Sequence, residues 1–595
     1  MPTSVRLFFL VVAAFASSWV AARAQEQPAA PAAAPVYRFA RLLIADTEAK
    51  AAAMVAAPDA GPLVVQDLPV LTSKELADAV AAYVGQPITD DLVHRLAGVI
   101  LTYLQKHDRL VAGFVLPSQQ EQHVEMGEIR LAVLVGRFKQ LRFQGNRWFS
   151  RELLESTLKV KPGDEVRVST LEEATNWANT NPFRRIKVLV NDLQAEPGMA
   201  DLIVNVQEAY PMRFATSYDN SGNTVIGQNH YTASAQFGNL WGLDHQGSLQ
   251  ITTTDNPRNY QAFSGDYRVP LPWRHYVQFA GAYSLVQPTF GGVSGNDFSL
   301  RGENLLANLR YIAPVERAPY SLEFSAGLDF KETNNNLEYT GYGTVRNTKN
   351  DIFQLNLGTT VVRRDKAGAW VFAVNLSLSP GNVNSRNSDA AFATARPNGY
   401  IVAEAPVVDS LGNQVHDSSG NALYQPVYDP IGQSHYAHGT FIVQRLTTLP
   451  AGFQLVSRGL LQMASANLIS TEALTLGGQA TVRGYDENIT SGDEGFELSH
   501  ELQGPEWQTP VSIHGRKLPP MQSRLVAFWD YGKAWNKHRF GSDLSPQALM
   551  GAGLGLRCNI ATNFNLVADY GWQLLETTPR QPDHGRASIK ASLAY

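Results

Sequence analysis

Polar and apolar side chains alternate strictly in the stretch His230-Tyr231-Thr232-Ala233-Ser234-Ala235-Gln236-Phe237. Successive side chains of an extended strand point to opposite faces, so this stretch predicts a strand with one apolar and one polar face. The same pattern returns at 277–285 and 566–572. An apolar face turned toward lipid and a polar face turned toward a water-filled interior are typical of a transmembrane β-barrel. A soluble β-sandwich would turn the apolar face inward instead.

From Pro211 onward the sequence predicts sixteen such strands, an even number, as single-chain bacterial barrels require. They begin near Met212, His230, Gly247, Gln261, His275, Arg301, Tyr320, Ile352, Ala369, Tyr436, Phe453, Phe496, Ser523, Ala548, Phe564 and Ala587. Short and long connections alternate, and Glu332–Asn350 and Pro380–Ser434 are among the long ones. Short turns belong on the periplasmic side and long loops outside the cell. Residues 211–595 are therefore predicted to form a sixteen-stranded outer-membrane barrel.

Two small α+β modules are predicted before the barrel, at residues 36–135 and 136–210, each in the order β-α-α-β-β. Thr72 with Glu75, and Ser169 with Glu172, have the spacing of a capping box at a helix start. The segment Asp46–Pro62 could add one helix to the first module. We expect each module to be a three-stranded sheet covered by two helices. Such a sheet leaves an open strand edge that can pair with an extended peptide.

The first residues of the chain have the pattern of a secretory signal. Arg6 is followed by an apolar run to Ala16 and by Ala22-Arg23-Ala24, which predicts a signal peptide at residues 1–24. Residues 25–35 are rich in Ala and Pro and are expected to be disordered. The single cysteine, Cys558, excludes an internal disulfide and is interpreted as a small hydrophobic residue.

Composition and motifs argue against other classes of function. A net charge of −5 gives no general attraction to nucleic acid. The sequence has neither a Gly-x-Ser-x-Gly elbow nor a Gly-x-x-x-x-Gly-Lys phosphate loop. His500-Glu501 lacks the second histidine of a zinc protease and is interpreted as strand polarity, and no Cys/His cluster indicates a metal. We therefore expect neither an enzyme nor a bound cofactor or metal.

Two further stretches form a candidate site. Val482-Arg483-Gly484-Tyr485 lies in a loop of about thirty residues between predicted strands, and its length places the loop on the extracellular side. A glycine beside the arginine suits a tight turn that projects one cation. In Phe528-Trp529-Asp530-Tyr531-Gly532, strand alternation places Trp529 and Tyr531 on one face and Asp530 on the other. That acid is available to Arg483.

These features together resemble the TpsB transporters of two-partner secretion, which are relatives of the BamA assembly factor and carry two POTRA modules before a sixteen-stranded barrel. Asn181-Pro182-Phe183-Arg184 is similar to a motif of the second POTRA module. Val482, Arg483, Gly484 and Tyr485 match the Val-Arg-Gly-Tyr/Phe motif of the sixth extracellular loop. Phe528, Asp530 and Gly532 match the Phe-x-Asp-x-Gly motif of strand thirteen.

The resemblance implies both a geometry and a function. The sixth loop would fold back into the barrel, where Arg483 would contact Asp530 on the inner wall. A secreted TpsA-like exoprotein would arrive unfolded in the periplasm, bind a POTRA edge, cross the barrel and fold outside. The barrel would sit in outer-membrane lipid, and its alternating last strand ending at Tyr595 suits recognition by the barrel-assembly machinery. Many members begin with a helix that plugs the pore, whereas Gln27–Pro35 is poor in helix formers.

Two alternatives stay open at this point. One is a BamA- or TamA-like factor that assembles outer-membrane proteins, against which two modules rather than three or five argue. The other is a passive porin or a nutrient receptor. A porin needs no periplasmic modules, and a receptor would carry a plug domain.

Overall fold

The computed structural model describes most of the chain from Tyr37 onward. The described residues are 37–109, 111–118, 121–165, 167–191, 199–223, 226–290, 298–317, 319–339, 343–346, 349–395, 401–406, 424–428, 432–513, 515–538, 547–577 and 584–595. The predicted signal peptide, the Ala/Pro-rich segment and any plug helix lie outside them. Within those ranges no helix has the length and apolar content needed to cross a membrane. The chain divides into two compact units, one built mainly on the residues up to Arg137 and the other mainly on Phe138–Tyr595.

Module 1 is a four-stranded sheet covered by helices. Its elements are β1 Arg41–Ala45, α1 Glu48–Ala53, β2 Leu63–Gln66, a 3₁₀ turn Pro69–Leu71, α2 Lys74–Ala81, α3 Asp90–Lys106, β3 Val111–Val115, α4 Glu121–Glu125 and β4 Glu128–Val135. The sheet order is β2-β1-β4-β3. In α3 the buried Leu92, Leu96 and Ile100 recur every four residues, so one face of the helix packs on the sheet.

The prediction of three strands is wrong for module 1, because the segment Asp46–Pro62 adds a crossover unit. It forms α1 as expected and then returns as β2, which pairs in parallel with β1. A parallel partner requires such a crossover. Ala51 of α1 and the following Met54 pack on Leu43 and Ala132, the face of the sheet opposite to α2 and α3. One edge of β1 is therefore covered by the chain itself, and the edge strands are β2 and β3.

Two predicted helix caps are also wrong. Helix α2 is capped by Ser73, whose hydroxyl accepts from the N–H of Leu76, while the Thr72 hydroxyl donates to the carbonyl of Pro69. Glu75 instead forms an ion pair with Lys106 across α2 and α3. The second proposed cap, Ser169, lies inside the first turn of the next module's helix, Val168–Ala178. In both places the helix begins beside a different residue from the one predicted. The spacing of the capping-box residues alone cannot tell which of two neighbouring residues is the cap.

Module 2 has the predicted order. Its elements are β5 Arg137–Gln144, α5 Arg151–Leu158, α6 Val168–Ala178, β6 Arg184–Asn191 and β7 Met199–Glu208, in the sheet order β5-β7-β6. The Ser150 hydroxyl caps α5 by accepting from the N–H of Leu153. Both helices bury their apolar residues on the sheet, at Leu154, Leu158, Ala174 and Ala178.

The remaining elements form the barrel and its loops. They are β8 Met212–Asp219, β9 His230–Leu240, β10 His245–Thr254, β11 Tyr260–Pro270, β12 Tyr276–Val286, β13 Thr289–Phe290, β14 Phe298–Arg317, β15 Tyr320–Tyr339, β16 Gly343–Arg346, β17 Lys349–Asp365, β18 Gly368–Pro380, α7 Asp389–Ala395, β19 Ile401–Pro406, β20 Tyr424–Tyr428, β21 His435–Thr448, a 3₁₀ turn Pro450–Gly452, β22 Gln454–Ala464, β23 Leu474–Leu476, β24 Thr490–Gly492, β25 Glu494–Gln503, β26 Trp507–Ile513, β27 Arg516–Trp535, β28 Gln547–Ile560, β29 Phe564–Gln573 and β30 Gly585–Ala594.

Sixteen long antiparallel strands make the closed wall, as predicted. The short strands β13, β16 and β26 extend neighbouring hairpins, and β19–β20 and β23–β24 are hairpins within loops. The wall closes where β30 pairs with β8, from Lys590 opposite Asp219 to Ala594 opposite Ala215. Closure gives the strands hydrogen-bonded neighbours on both sides, which a hydrocarbon environment requires.

The two faces of the wall carry the predicted polarity. Large apolar side chains are exposed on the outer face, among them Phe279, Tyr283, Leu305, Leu309, Tyr570 and Trp572. Polar side chains lie buried on the inner face, among them Asp329, Gln354, Gln462, Asp530 and Asp569. The prediction that Glu332–Asn350 is a long loop is partly wrong, because β15 continues to Tyr339 and β17 begins at Lys349. A strand that continues beyond the membrane needs no apolar face. Its polar and apolar residues therefore need not alternate, and the sequence pattern no longer reveals the strand.

Candidate functional site

The connection between β22 and β25, residues 465–493, is named loop 6 because it is the sixth connection at the extracellular end of the barrel. It contains the hairpin β23–β24, in which Leu474 lies opposite Gly492. Leu476, Val482 and Tyr485 in this loop are fully buried together with wall residues of β27 and β28. Loop 6 therefore folds against the inner face of the barrel.

The structure brings together the two residues that the sequence paired. The Nε of Arg483 donates to Oδ2 of Asp530 at 2.7 Å, and Nη2 donates to Oδ1 at 2.9 Å. The backbone N–H of Arg483 donates to the same carboxylate at 3.1 Å. The guanidinium also lies over the ring of Phe528, 3.5 Å from its centroid. Asp530 is fully buried and Arg483 nearly so, which makes this a desolvated, two-pronged ion pair.

Further charges, which the sequence motifs do not indicate, complete a network around Arg483. Arg483 also donates to Glu501 at 2.8 Å and lies 3.8 Å from Asp569. Arg557 bridges the same two acids, at 2.8 Å to Glu501 and 2.6 Å to Asp569. The hydroxyl of Ser499 donates to Asp530 at 2.7 Å. Glu501, interpreted from the sequence only as strand polarity, is thus a direct partner of the loop arginine.

Glycines of the wall make room for the loop backbone. A Cβ placed at Gly571 would lie 2.6 Å from the backbone nitrogen of Gly484, and one at Gly551 would collide with the carbonyl oxygen of Arg483. Gly484 has φ +100°, a conformation that side-chain-bearing residues rarely adopt. Gly532 closely faces Val482. The glycine run of β28, Gly-x-Gly-x-Gly, was a signal in the sequence for this close approach.

Tyr485 fixes the loop to the ends of two strands. Its hydroxyl lies 2.7 Å from the carbonyl oxygen of Leu575 and 2.9 Å from that of Met550. The backbone N–H groups of the same two residues donate to it at 3.2 Å. A phenol can donate only one hydrogen, so two of these contacts use the oxygen as an acceptor. The tyrosine of the motif is therefore a structural anchor.

A second polar anchor holds the other end of loop 6. The carboxylate of Glu472 accepts from Lys331 at 2.7 Å and from Gln354 at 2.8 Å, and it lies 3.2 Å from Nε2 of His438. These partners belong to β15, β17 and β21, whereas Arg483 contacts β25, β27 and β29. Loop 6 is consequently tied to two separate stretches of the wall.

The four-residue motif of module 2 contacts the barrel. Arg184, whose side chain is fully buried, donates to both carboxylate oxygens of Asp244 at 2.9 and 2.7 Å. Asn181 donates to Asp244 at 2.7 Å and to the carbonyl of Gly238 at 2.6 Å. The buried Phe183 lies so close to Gly238 that no Cβ would fit there.

This contact surface is named the joint: Asn181, Phe183 and Arg184 of module 2 with Gly238 of β9 and Asp244 of the turn between β9 and β10. Burial raises the pKa of the Asp244 carboxyl, and the charge of Arg184 opposes that rise. Pro182, the remaining motif residue, is exposed. The joint places module 2 at the short-turn end of the barrel, opposite to loop 6.

The lumen beside loop 6 is polar and charged. A cavity of about 500 Å³ is lined by acids and bases, among them Arg458, Glu487, Glu497 and Lys590. In the part of the chain that the structure describes, no group of three or more His, Cys, Asp or Glu side chains is arranged to hold a metal ion.

Comparison with known proteins identifies the family. The model of the haemolysin secretion/activation protein family ShlB/FhaC/HecB matches residues 198–558. The chain belongs to this family. Its sixteen-stranded barrel therefore spans the bacterial outer membrane, and its two POTRA modules lie in the periplasm.

Individual relatives are distant but extensive. The heme/hemopexin transporter protein HuxB of Haemophilus influenzae is 24% identical over 78% of this chain and 73% of its own length. The outer membrane transporter CdiB-2 of Burkholderia pseudomallei is 20% identical over 87% of this chain and 79% of its own. Among solved structures, CdiB from Escherichia coli covers 96% of this chain and 93% of its own, with a TM-score of 0.68 and 15% identity. CdiB from Acinetobacter baumannii has a TM-score of 0.61 and 15% identity, covering 95% and 91%.

We expect Gly571→Ala to displace loop 6, because the new methyl group would meet backbone atoms of Arg483 and Gly484 that cannot rotate away. Trypsin should then cleave after Arg483, which is buried in the wild type, and single-channel current should rise. Gly281→Ala is the matched control, since its Cβ would have ordinary clearance, with Leu306 O at 3.5 Å. Equal trypsin resistance of the two variants would contradict the close seat of the loop.

We expect Arg184→Ala to loosen the joint, because it leaves Asp244 desolvated and unpaired. Removing one partner of a buried ion pair costs about 3–5 kcal/mol. Hydrogen exchange should therefore accelerate at residues 238–245, while the barrel stays folded. Arg185→Ala removes the adjacent exposed arginine and serves as the control. Unchanged protection of the turn in Arg184→Ala would mean that the ion pair does not hold the joint.

Proposed function

We propose that the chain exports a TpsA-like exoprotein across the outer membrane by two-partner secretion. The exoprotein reaches the periplasm unfolded, binds an open strand edge of a POTRA module, passes through the barrel and folds outside. The observation that carries the proposal is the way loop 6 is held in the lumen. It is fixed by ion pairs, by the hydroxyl of Tyr485 and by a small apolar cluster, all of which can be broken and remade without opening the wall.

The relatives support export over the two alternatives. HuxB and CdiB-2 are both named as transporters, and each aligns with most of this chain. An assembly factor would use a longer array of modules, and a passive porin would not need the joint between Arg184 and Asp244. A nutrient receptor would fill its lumen with a separate domain rather than with loop 6.

Three further elements complete the proposal. The chain is not an enzyme, and folding of the exported protein outside the cell supplies the free energy for transport. The apolar outer face is surrounded by outer-membrane lipid. The barrel-assembly machinery inserts the chain and recognises β30, the alternating sixteenth strand of the wall.

We expect Arg483→Ala and Asp530→Ala each to reduce export strongly while the barrel still inserts. An exposed ion pair contributes about 0–1 kcal/mol, whereas loss of one partner from a buried pair costs about 3–5 kcal/mol. This pair lies toward the buried end of that range, since Asp530 is fully buried. Because both residues belong to one network, the double variant should be little worse than either single one.

The measurement compares the secreted proteins of a deletion strain complemented with each variant. The protein missing from the deletion strain's medium is the exported partner, and heat-modifiable mobility reports barrel insertion. Arg310→Ala, which breaks a lumen-facing ion pair with Asp329 and leaves the Arg483 network intact, is the control. Normal export by Arg483→Ala would refute a role for the contact, and a secreted protein set unchanged by deletion would refute the proposed function.

We expect the full-length protein in lipid nanodiscs to bind the N-terminal domain of its exported partner only while that domain is unfolded. The physical reason is that strand addition to an open edge requires an extended peptide. Fluorescence anisotropy with a destabilised and a stably folded version of the same domain measures the difference. Equal affinity for both versions would exclude capture by strand addition.

A further inference from the structure

Module 2 carries a cavity beside the edge strand β5 and helix α5. It has a volume of about 580 Å³, within the range of about 300–1,000 Å³ that is typical of ligand sites. Its floor is apolar and is formed by the buried Leu141 and Val160, and the exposed Pro162 also lines it. Its rim carries three cations, which are Arg151, Lys159 and Lys161, together with the acid Glu155.

The charge of this cavity is positive after internal pairing. Arg151 donates to Glu155 at 2.7 Å, one helical turn away, so these two charges neutralise each other. Lys159 ends α5 with φ 56°, and its ammonium group donates to the carbonyl of Pro272. The ammonium group of Lys161 forms no ion pair or side-chain hydrogen bond with any residue that the structure describes. Two lysines on an apolar floor remain to bind an anion.

The contact with Pro272 places the cavity at the level of the membrane surface. Pro272 belongs to the turn between β11 and β12. The next residue, Trp273, is 57% exposed and donates to the hydroxyl of Tyr311 on the outer face of the barrel. Exposed tryptophan and tyrosine at a barrel rim mark the depth of the lipid headgroups. The following residue, Arg274, pairs with Glu173 of α6, so module 2 is held against this turn on both sides.

We propose that this cavity binds the headgroup of an anionic glycerophospholipid from the periplasmic leaflet. The phosphate would lie between Lys159 and Lys161, and the apolar floor would accept the glycerol and the first acyl carbons. A single lipid would then bridge module 2 to the rim of the barrel. An acidic peptide offers the same charge but no acyl chain, so it would leave the apolar floor and the neighbouring Trp273 unused.

The test titrates full-length protein in detergent with phosphatidylglycerol, with phosphatidylcholine of the same acyl chains, and with glycerol 3-phosphate, and it counts bound molecules by native mass spectrometry. Each lysine near an anionic headgroup contributes about fivefold in affinity. We expect phosphatidylglycerol to bind most tightly, and the variant K159N/K161Q to weaken it about twenty-fivefold, to the level of phosphatidylcholine. Asparagine replaces Lys159 because it tolerates the left-handed conformation.

The matched control is K366Q/K517Q, which removes two exposed lysines at the periplasmic end of the barrel that do not line the cavity: Lys366 in the turn between β17 and β18, and Lys517 at the start of β27. This control should bind phosphatidylglycerol as the wild type does. Wild-type affinity in K159N/K161Q would overturn the proposal. Glycerol 3-phosphate binding as tightly as phosphatidylglycerol would replace it with a site for a free phosphate. Displacement of phosphatidylglycerol by a glutamate-rich peptide at lower concentration would replace it with a peptide site.

Discussion

A guanidinium group that is removed from bulk water needs carboxylate partners. The arrangement of loop 6 depends on how the barrel wall supplies such partners to Arg483. Asp530 and Glu501 accept from it, and Asp569 lies within ion-pair distance. Desolvation penalises such a charge, and an ion pair offsets the penalty only with good geometry and further hydrogen bonds. The bidentate contact and the backbone N–H of Arg483 provide both. These contacts hold the loop firmly, and in the proposed export water and the passing polypeptide would replace them.

The same chemistry recurs at the periplasmic end with a different consequence. Arg184 and Asp244 form another bidentate pair, but here an arginine with no exposed side-chain surface lies 4.8 Å from the ring centroid of Phe149. Little water reaches this pair, and Asn181 donates further hydrogen bonds to the acid and to the carbonyl of Gly238. The lumen pair borders a polar cavity, whereas the joint pair lies at a packed contact. One suits a contact that is exchanged during transport, and the other suits a fixed attachment.

The sequence predicted whatever depends on local periodicity. Alternation defined the sixteen strands and placed Asp530 inward, and the motif resemblance supplied its partner. Glu501 and Asp569 were missed because their approach to Arg483 depends on the register between β25, β27, β28 and β29, which no single strand encodes. Strand β2 was missed because a four-residue parallel partner of β1 has no alternation of its own. Thr72 was preferred to Ser73 as a cap because both are good capping residues and only backbone geometry separates them.

The two anchors of loop 6 share no side chain. Glu472 contacts residues of β15, β17 and β21, while the network of Arg483 draws on β25, β27, β28 and β29. Residues without common partners contribute independently to stability, whereas members of one network do not. Release of the Arg483 end therefore leaves the loop attached at Glu472. In the proposed export, this division would let the loop move aside within the lumen while its base stays at the extracellular end, so the path would open without loss of the segment that closes it again.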